Sequence, residues 1–304
     1  MPTSLVLAGV FAAGLGKGPE IAWSKDYTRA FAEAEERRAP LLVHFRGANC
    51  GRTTVPGATE SRGGSRGDGI TRPLHDTELG DCDLMQQDVL ENVMVVELTR
   101  RYVPVLVGPG DETLNTRYQV IVNPTTLFLD PWGNEIFRVS GYLERAKFSR
   151  ILQAVPTDFA PLAAAGRGLR EKPDDLAALA AVAAFYESQR LRQVSERLYE
   201  RAQAAPAAAG DLASRRQVAI ARGLNLLMMG KAREAESVFE KALDAAPDAP
   251  GSDALRLGVV NAHLEAGHRR EAETAYRRLQ QAYPASPYTA RARQNLEAAR
   301  SDRR

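Results

Sequence analysis

The stretch YQVIVNPTTLFLDPWGNEIFRVSGYL, residues 118–143, decides the fold of the first half of the chain. Its apolar run from Thr125 to Asp130 is typical of a strand. Pro131-Trp132-Gly133-Asn134 has the composition of a turn, and Glu135 to Val139 follows as a second strand pattern. The segment therefore predicts a strand hairpin, and Pro124 stands at its entrance.

Working outward from the hairpin, helical and strand patterns alternate. The residues Tyr27, Ala30, Phe31 and Ala34 have helical spacing, and Ser24 before them is a predicted N-cap. The predicted order is a helix at 25–37, a strand at 40–45, a helix from Asp81, a strand at 102–107, a helix at 111–118, the hairpin strands 125–130 and 135–139, and a helix at 144–155.

A long insertion separates the only two cysteines of the chain, Cys50 and Cys82. Residues 51–81 hold seven glycines and two prolines and have no apolar periodicity, which predicts a loop. Asp81 then suits an N-cap, with Cys82 as the first helical residue. Of the residues that follow, Met85, Val89 and Val93 are predicted to line one buried face.

This order of elements, with a cysteine between a strand and a helix and a Pro-Thr before the hairpin, resembles the thioredoxin family over residues 20–155. The runs LLVHFRGANC (41–50) and CDLMQQDVLENVMVVELTRRYVPVLV (82–107) carry the resemblance further, as does Trp23. It implies an α/β thioredoxin fold. It also implies a cis-proline at Pro124 that lies against the cysteines and shapes a substrate groove.

The sequence departs from the family at its redox motif. The family's Cys-x-x-Cys is split, because 31 residues lie between Cys50 and Cys82, and His44 stands where the family commonly has a buried Asp. Three states of the cysteines remain open: a pair that exchanges disulfides, a structural disulfide, or two buried thiols. A helix N-terminus favours the thiolate of Cys82. His44 is either a proton acceptor for Cys82 or a core histidine.

The candidate catalytic residues are thus Cys50, Cys82, Pro124 and His44, and no metal or cofactor is expected. The spacing of Cys50, His75, Cys82 and His44 matches no recognised zinc pattern. With 40 Lys and Arg against 38 Asp and Glu, the net charge of +2 argues against a nucleic-acid partner. No apolar run reaches the roughly 18 residues of a membrane span.

The N-terminal segment, residues 1–19, is predicted to be a signal peptide or an apolar tail. Leu5 to Gly16 is apolar, whereas Met1 to Ser4 carries no Lys or Arg. A signal peptide would place the protein in the periplasm of a bacterial envelope or outside the cell. Without one, the protein would be cytoplasmic.

The second half of the chain contains an internal sequence repeat. GLNLLMMGKAREAESVFEKALDAAP (223–247) and VVNAHLEAGHRREAETAYRRLQQAYP (259–284) share residue types at an offset of 37 positions. The matching pairs are Ala235 and Ala272, Phe239 and Tyr276, and Pro247 and Pro284. These patterns resemble the tetratricopeptide repeat (TPR). They predict an all-α TPR-type domain at 174–304, preceded by a linker at 156–173.

Two functions follow from this organisation. The first is a thiol-disulfide oxidoreductase whose protein or peptide clients bind the TPR surface and the groove near Pro124. The second is a redox-inactive adaptor that uses the same surfaces for protein binding alone. The split motif favours the adaptor, whereas a cysteine at each expected position, Cys50 and Cys82, favours the enzyme.

Overall fold

The structure is a computed structural model that describes residues 19–47, 50, 80–206 and 212–301. The predicted signal peptide or tail lies outside the described residues, apart from Pro19. The predicted insertion also lies outside them, apart from Gly80 and Asp81 at its end. Among the described residues, no helix combines the length and the apolar character that crossing a membrane requires.

The first half contains the predicted α/β arrangement. Its four strands form one sheet in the order β2-β1-β3-β4, and every residue of β1 and β3 is buried. The elements are α1 (Tyr27–Arg37), β1 (Leu41–Phe45), α2 (Asp81–Leu84), a π-helix (Met85–Leu90), α3 (Val93–Thr99), β2 (Val103–Val107), α4 (Glu112–Arg117), β3 (Thr125–Leu129), β4 (Glu135–Ser140) and α5 (Arg145–Ala154).

Ser24 and Val93 do not have the roles that the sequence predicted. Ser24 is not an N-cap, because α1 begins only at Tyr27 and the Ser24 hydroxyl donates to the Asp26 carbonyl. Val93 does not continue the face of Met85 and Val89: it is 60% exposed. A new helix, α3, starts there, and the side chain of its N-cap residue accepts a hydrogen bond from the main chain.

The hairpin turn between β3 and β4 is organised by Asp130. Its buried carboxylate accepts hydrogen bonds from the main-chain N–H groups of Trp132 and Asn134, both at 2.9 Å, and from the Asn134 side chain at 2.8 Å. These bonds hold the turn that the sequence predicted. Burial nevertheless raises the pKa of Asp130 to about 6, because desolvation outweighs the hydrogen bonds.

The segment predicted as a linker, residues 156–173, is mostly helical. It contains a 3-10 turn (Ala160–Leu162) and the helix α6 (Ala163–Glu171). The turn buries Phe159 and Leu162, and Gly166 of α6 lies against the Trp132 ring, where a Cβ atom would be 2.2 Å from Cε3. Glycine at this position thus permits a close packing contact that the residue pattern did not reveal.

The described residues from Leu176 onward form three helical pairs of the predicted kind and one last helix. Successive helices pack on one another, and two apolar clusters form the core of the last five helices. The helices are α7 (Leu176–Ser188), α8 (Arg192–Ala204), α9 (Leu212–Met228), α10 (Ala232–Ala245), α11 (Ser252–Glu265), α12 (Arg269–Ala282) and α13 (Pro287–Ser301).

The chain folds into two compact units, each built from separate stretches of sequence. The first comprises the described residues within Met1–Tyr27, Leu42–Thr126 and Val139–Gln153. The second comprises those within Thr28–Leu41, Leu127–Arg138 and Ala154–Arg304. All four predicted site residues, Cys50, Cys82, Pro124 and His44, belong to the first unit.

Candidate active site

Cys50 and Cys82 form a disulfide, and their Cα atoms are 5.1 Å apart. Cys50 lies in a turn that follows β1, where its N–H donates to the Gly47 carbonyl at 3.1 Å. In the same turn the Gly47 N–H donates to the Cys50 sulfur at 3.0 Å. Cys82 is the second residue of α2, whose N-cap is Gly80 rather than the predicted Asp81. Of the three states that the sequence left open, the structure contains a bonded pair.

The turn that carries Cys50 contacts the loop that carries Pro124. A Cβ atom on Gly47 would lie only 3.1 Å from the Cβ of Asn123, so these two residues are in direct contact. The peptide bond between Asn123 and Pro124 is cis. The structure thus brings the residue before the predicted cis-proline next to the turn of Cys50.

A second contact joins the Pro124 loop to the start of α2. The Pro124 carbonyl accepts a hydrogen bond from the Gly141 N–H at 2.7 Å, and the next N–H, of Tyr142, donates to the Asp81 carboxylate at 3.4 Å. The Tyr142 hydroxyl donates to Asp88 at 2.8 Å, which raises the pKa of that hydroxyl. Residues 141 and 142 therefore link the proline loop to the helix of Cys82.

Glycine is required at position 141 of this link. Its φ angle is +78°, and a Cβ atom there would lie 3.0 Å from the Asp81 carboxylate. Sequence reasoning did not identify Asp81, Asp88, Gly141 or Tyr142 as parts of the site. Their contacts span 54 and 61 positions along the chain, and no periodic pattern connects residues so far apart.

His44 is a buried, hydrogen-bonded residue of β1. Its Nδ1 lies 2.9 Å from the Thr126 hydroxyl, and its ring centroid lies 5.8 Å from that of Trp23. Burial in the first place, and the positive charge of Arg46 in the second, lower the pKa of His44 to about 3. The imidazole is therefore neutral near pH 7. This geometry is that of a core histidine, and its role as a proton acceptor for Cys82 stays a prediction.

An exposed apolar edge precedes the cis-proline. The side chain of Ile121 is 93% exposed and that of Val122 is 47% exposed. The Thr125 hydroxyl donates to the Val122 carbonyl at 2.6 Å, which fixes the loop between them. An exposed apolar edge of this kind is a suitable surface for an unfolded or extended protein segment.

Among the described residues, no group of three or more His, Cys, Asp or Glu side chains is arranged to hold a metal ion. His75, considered with the cysteines above, lies outside the described residues. The described part of the site comprises the Cys50–Cys82 disulfide, the loop of Pro124 and the neutral imidazole of His44.

Comparison with known proteins identifies two regions of the chain. Residues 70–156 match the family model of a thioredoxin-like domain, and residues 226–298 match that of a tetratricopeptide repeat. Each match covers less than a third of the 304 residues, and the two occur in the predicted order. The chain therefore joins a thioredoxin-like domain to TPR repeats.

Among solved structures, one titled "DsbH Oxidoreductase" is 15% identical, with a TM-score of 0.30. The similarity covers 49% of this chain and 93% of that chain. No curated protein matches this sequence.

Proposed function

We propose that this thioredoxin-like, TPR-bearing chain is a thiol-disulfide oxidoreductase that acts on protein substrates. The observation that carries the proposal is the Cys50–Cys82 bond, which connects the turn after β1 to the first turn of α2. Through Gly47, that turn contacts the residue before Pro124. The exposed apolar residues Ile121 and Val122 precede the cis-proline in the same loop, and a substrate segment can rest on them.

In the proposed reaction a substrate thiolate attacks the Cys50 sulfur. A mixed disulfide forms between substrate and Cys50, and the electron pair of the broken bond leaves on Cys82 as a thiolate. A second substrate thiolate then attacks the substrate sulfur of the mixed disulfide and releases Cys50 as a thiolate. The substrate is oxidised to a disulfide and the two cysteines are reduced; the reverse sequence reduces a substrate disulfide.

The surroundings of each sulfur support these roles. The Gly47 N–H that donates to the Cys50 sulfur would stabilise a thiolate there. Cys82 lies near the N-terminus of α2, which favours a thiolate, whereas the carboxylates of Asp81 and Asp83 on either side oppose it. We therefore assign to Cys50 the sulfur that forms the mixed disulfide with the substrate. Cys82 is assigned the sulfur that leaves as a thiolate when this mixed disulfide forms.

We assign Pro124 to the wall of the substrate groove and His44 to positioning β1 through its contact with Thr126. If the neutral imidazole also accepts the Cys82 proton, a His44→Gln variant will shift the pH dependence of exchange as well as its rate. A change in rate alone would leave His44 with the positioning role.

The helical repeats are proposed to hold protein clients, because stacked TPR pairs expose an extended surface while their apolar faces are buried on neighbours. A disulfide persists best in an oxidising compartment, which supports a periplasmic or secreted location. Binding of protein clients to the full-length protein tests the first assignment, and the cellular location of the full-length protein tests the second.

The test of the enzymatic proposal uses the full-length protein and a peptide with an internal disulfide. We expect the wild type to catalyse exchange and to titrate reversibly in thiol redox buffers. Cys82→Ser should accumulate a mixed disulfide through Cys50, whereas Cys50→Ser should accumulate none. Exchange no faster than the uncatalysed rate in all three proteins would overturn the proposal.

The adaptor remains the second candidate because of the spacing of the cysteines. A bond that closes a loop with 31 intervening residues is expected to stabilise the fold by about 4 kcal/mol in the chain-entropy model. An adaptor would keep the Cys50–Cys82 bond for that reason alone. It would lose this stability on reduction, retain client binding in both redox states, and show no catalysed exchange.

A further inference from the structure

A cavity of about 460 Å³ lies beside Cys50 in the first unit. Its described walls are the turn after β1, the residues that lead into α1, and β2 with the turn that follows it. The volume falls in the range of roughly 300–1,000 Å³ that is usual for small-molecule sites. Ile121–Pro124 are not among its described lining residues, so the cavity differs from the apolar edge assigned above to protein substrates.

The charges in the cavity wall are mainly positive. Lys25 and Arg46 are its cations, and Asp111 is its anion. The Asp111 carboxylate is already engaged, since it accepts the Leu114 N–H at 3.1 Å as the N-cap of α4. Among the described residues, no carboxylate forms an ion pair with either cation. Among the described lining residues, the two cations therefore outnumber the single carboxylate, which leaves a positive balance toward a bound anion.

The main chain fixes the position of the more buried cation. The Arg46 N–H donates to the Val107 carbonyl at 3.0 Å, which holds the residue against β2. Its positive charge also acts inside the fold, where it is the second cause of the lowered pKa of His44. An anion that approaches Cys50 through the cavity would meet the same charge.

We propose that this cavity binds a low-molecular-weight thiol that carries a carboxylate, which then exchanges with the Cys50–Cys82 disulfide. The inference rests on the proposed function and names a second class of substrate for it. The carboxylate would lie between Lys25 and Arg46, with the thiolate directed at the Cys50 sulfur.

The exchange balances with two such thiols. The first thiolate forms a mixed disulfide with Cys50 and displaces Cys82 as a thiolate. The second attacks the sulfur of the first, giving a small-molecule disulfide and the reduced Cys50–Cys82 pair. The small thiols are oxidised by two electrons in all, and the protein disulfide is reduced by the same two.

The charges should make exchange selective. Two cations at a distance of several ångströms from a carboxylate, in a partly hydrated cavity, are expected to favour an anionic over a neutral thiol by about three- to tenfold. Added salt should weaken the preference because it screens exposed charges such as that of Lys25.

The experiment measures reduction of the oxidised full-length protein by 3-mercaptopropionate, 2-mercaptoethanol and cysteamine at equal thiolate concentration. Each rate is divided by the rate of the same thiol with an uncharged small-molecule disulfide, which removes differences in intrinsic nucleophilicity, and these relative rates are compared. Samples are quenched by alkylation and the protein thiols are counted by mass. We expect the anionic thiol to react fastest and the cationic thiol slowest. Arg46→Gln and Lys25→Gln should each reduce the anionic preference by about twofold or more.

Arg100→Gln is the matched control. Arg100 lies on the C-terminal side of α3, pairs with Glu97 at 2.9 Å and is not among the described lining residues of the cavity. Its variant removes the same net charge and should leave the preference unchanged. A decrease as large as that of Arg46→Gln would show a general charge effect and overturn the inference.

The remaining outcomes separate this inference from the proposed function. Equal relative rates with all three thiols, together with catalysed exchange of a protein disulfide, would overturn the cavity as a site for anionic thiols and leave the proposed enzymatic function in place. If neither small thiols nor the peptide exchange, both fail. A preference shown only by a long acidic peptide with one cysteine would assign the cavity to a protein segment and overturn the small-thiol proposal.

Discussion

Replacing Gly223 with alanine should destabilise the helical repeats, because the ring of Phe239 occupies the space that the new methyl group would need. A Cβ atom at position 223 would lie 2.2 Å from Cε1 and 2.3 Å from Cζ of that ring. On the neighbouring helix, a Cβ atom at Gly258 would lie 2.6 Å from Cζ. Carbon atoms in favourable contact are about 3.5–4.0 Å apart, so the ring would have to move by more than about 1 Å.

The expected cost follows from two opposing effects. Phe239 is fully buried, and forcing extra volume into such a core costs about 1–3 kcal/mol. Alanine is a better helix former than glycine by up to about 1 kcal/mol. The size of the overlap at Gly223 places the packing cost near the upper end of that range of about 1–3 kcal/mol. We therefore expect Gly223→Ala to lower the free energy of unfolding by about 2 kcal/mol.

Gly168→Ala is the matched control, since it makes the same chemical change in a helix where space exists. A Cβ atom there would lie 3.6 Å from the Cβ of Ala178, which is ordinary contact. This variant should therefore be unchanged or more stable by up to about 1 kcal/mol. The measurement is urea unfolding of each full-length protein, followed by circular dichroism.

A double variant tests the assigned contact directly. Phe239→Leu removes Cε1 and Cζ, the two atoms nearest to a methyl group at position 223, so Gly223→Ala should cost less in that background than in the wild type. Full additivity of the two changes, within about 0.5 kcal/mol, would refute the reasoning. So would a Gly223→Ala protein as stable as the wild type.

Three further predictions concern buried polar groups. Arg216→Met should lower the free energy of unfolding by about 3 kcal/mol. The buried guanidinium donates to main-chain carbonyls at 2.8–3.0 Å, and these would lose their partner. Urea unfolding checks this against a variant of an exposed residue, Arg291→Met, which should change stability by less than about 0.5 kcal/mol. Folded His44 has a pKa of about 3, so below pH 6.5 the unfolded chain binds a proton at this residue and the folded chain does not. Stability should therefore decrease by about 5 kcal/mol as the pH falls from 6.5 to 3. A pH series on His44→Gln should lack this decrease. Folded Asp130 has a pKa of about 6 and binds its proton more tightly than the unfolded chain. Its contribution to the free energy of unfolding should therefore decrease by about 3 kcal/mol as the pH rises from about 4 to 6. A pH series on Asp130→Asn should lack that decrease.

The fold could be predicted from the sequence where its determinants are local. The hairpin follows from an apolar run, a turn with proline and glycine, and a second strand, and the structure places β3 and β4 within one residue of the expected bounds. Repeated residues at a fixed offset likewise predicted the TPR helices. Local patterns failed at Val93, because the side chain of Asn92 caps a new helix there and ends the previous one.

The site was predictable only in part. The resemblance selected Cys50, Cys82 and Pro124, but no pattern in the sequence could show that Gly141 and Tyr142 connect the proline loop to α2. The chemical state of His44 also depends on tertiary structure. Its low pKa arises from burial and from Arg46, and neither effect can be read from the identity of the residue.

The segment predicted as a linker shows that a glycine can have either of two structural roles. Gly166 and Gly168, with prolines on either side, predicted an irregular connection. In the second unit, Gly166 instead belongs to a helix whose backbone lies directly against the Trp132 ring, and Arg197 donates to the Ile136 carbonyl at 2.7 Å. Since Trp132 and Ile136 come from the β3–β4 hairpin, the absence of a side chain at Gly166 permits close packing between the hairpin and α6. A glycine that makes an isolated segment flexible can therefore allow close packing in the folded protein. Which of the two effects dominates depends on the residue that the glycine contacts in the tertiary structure.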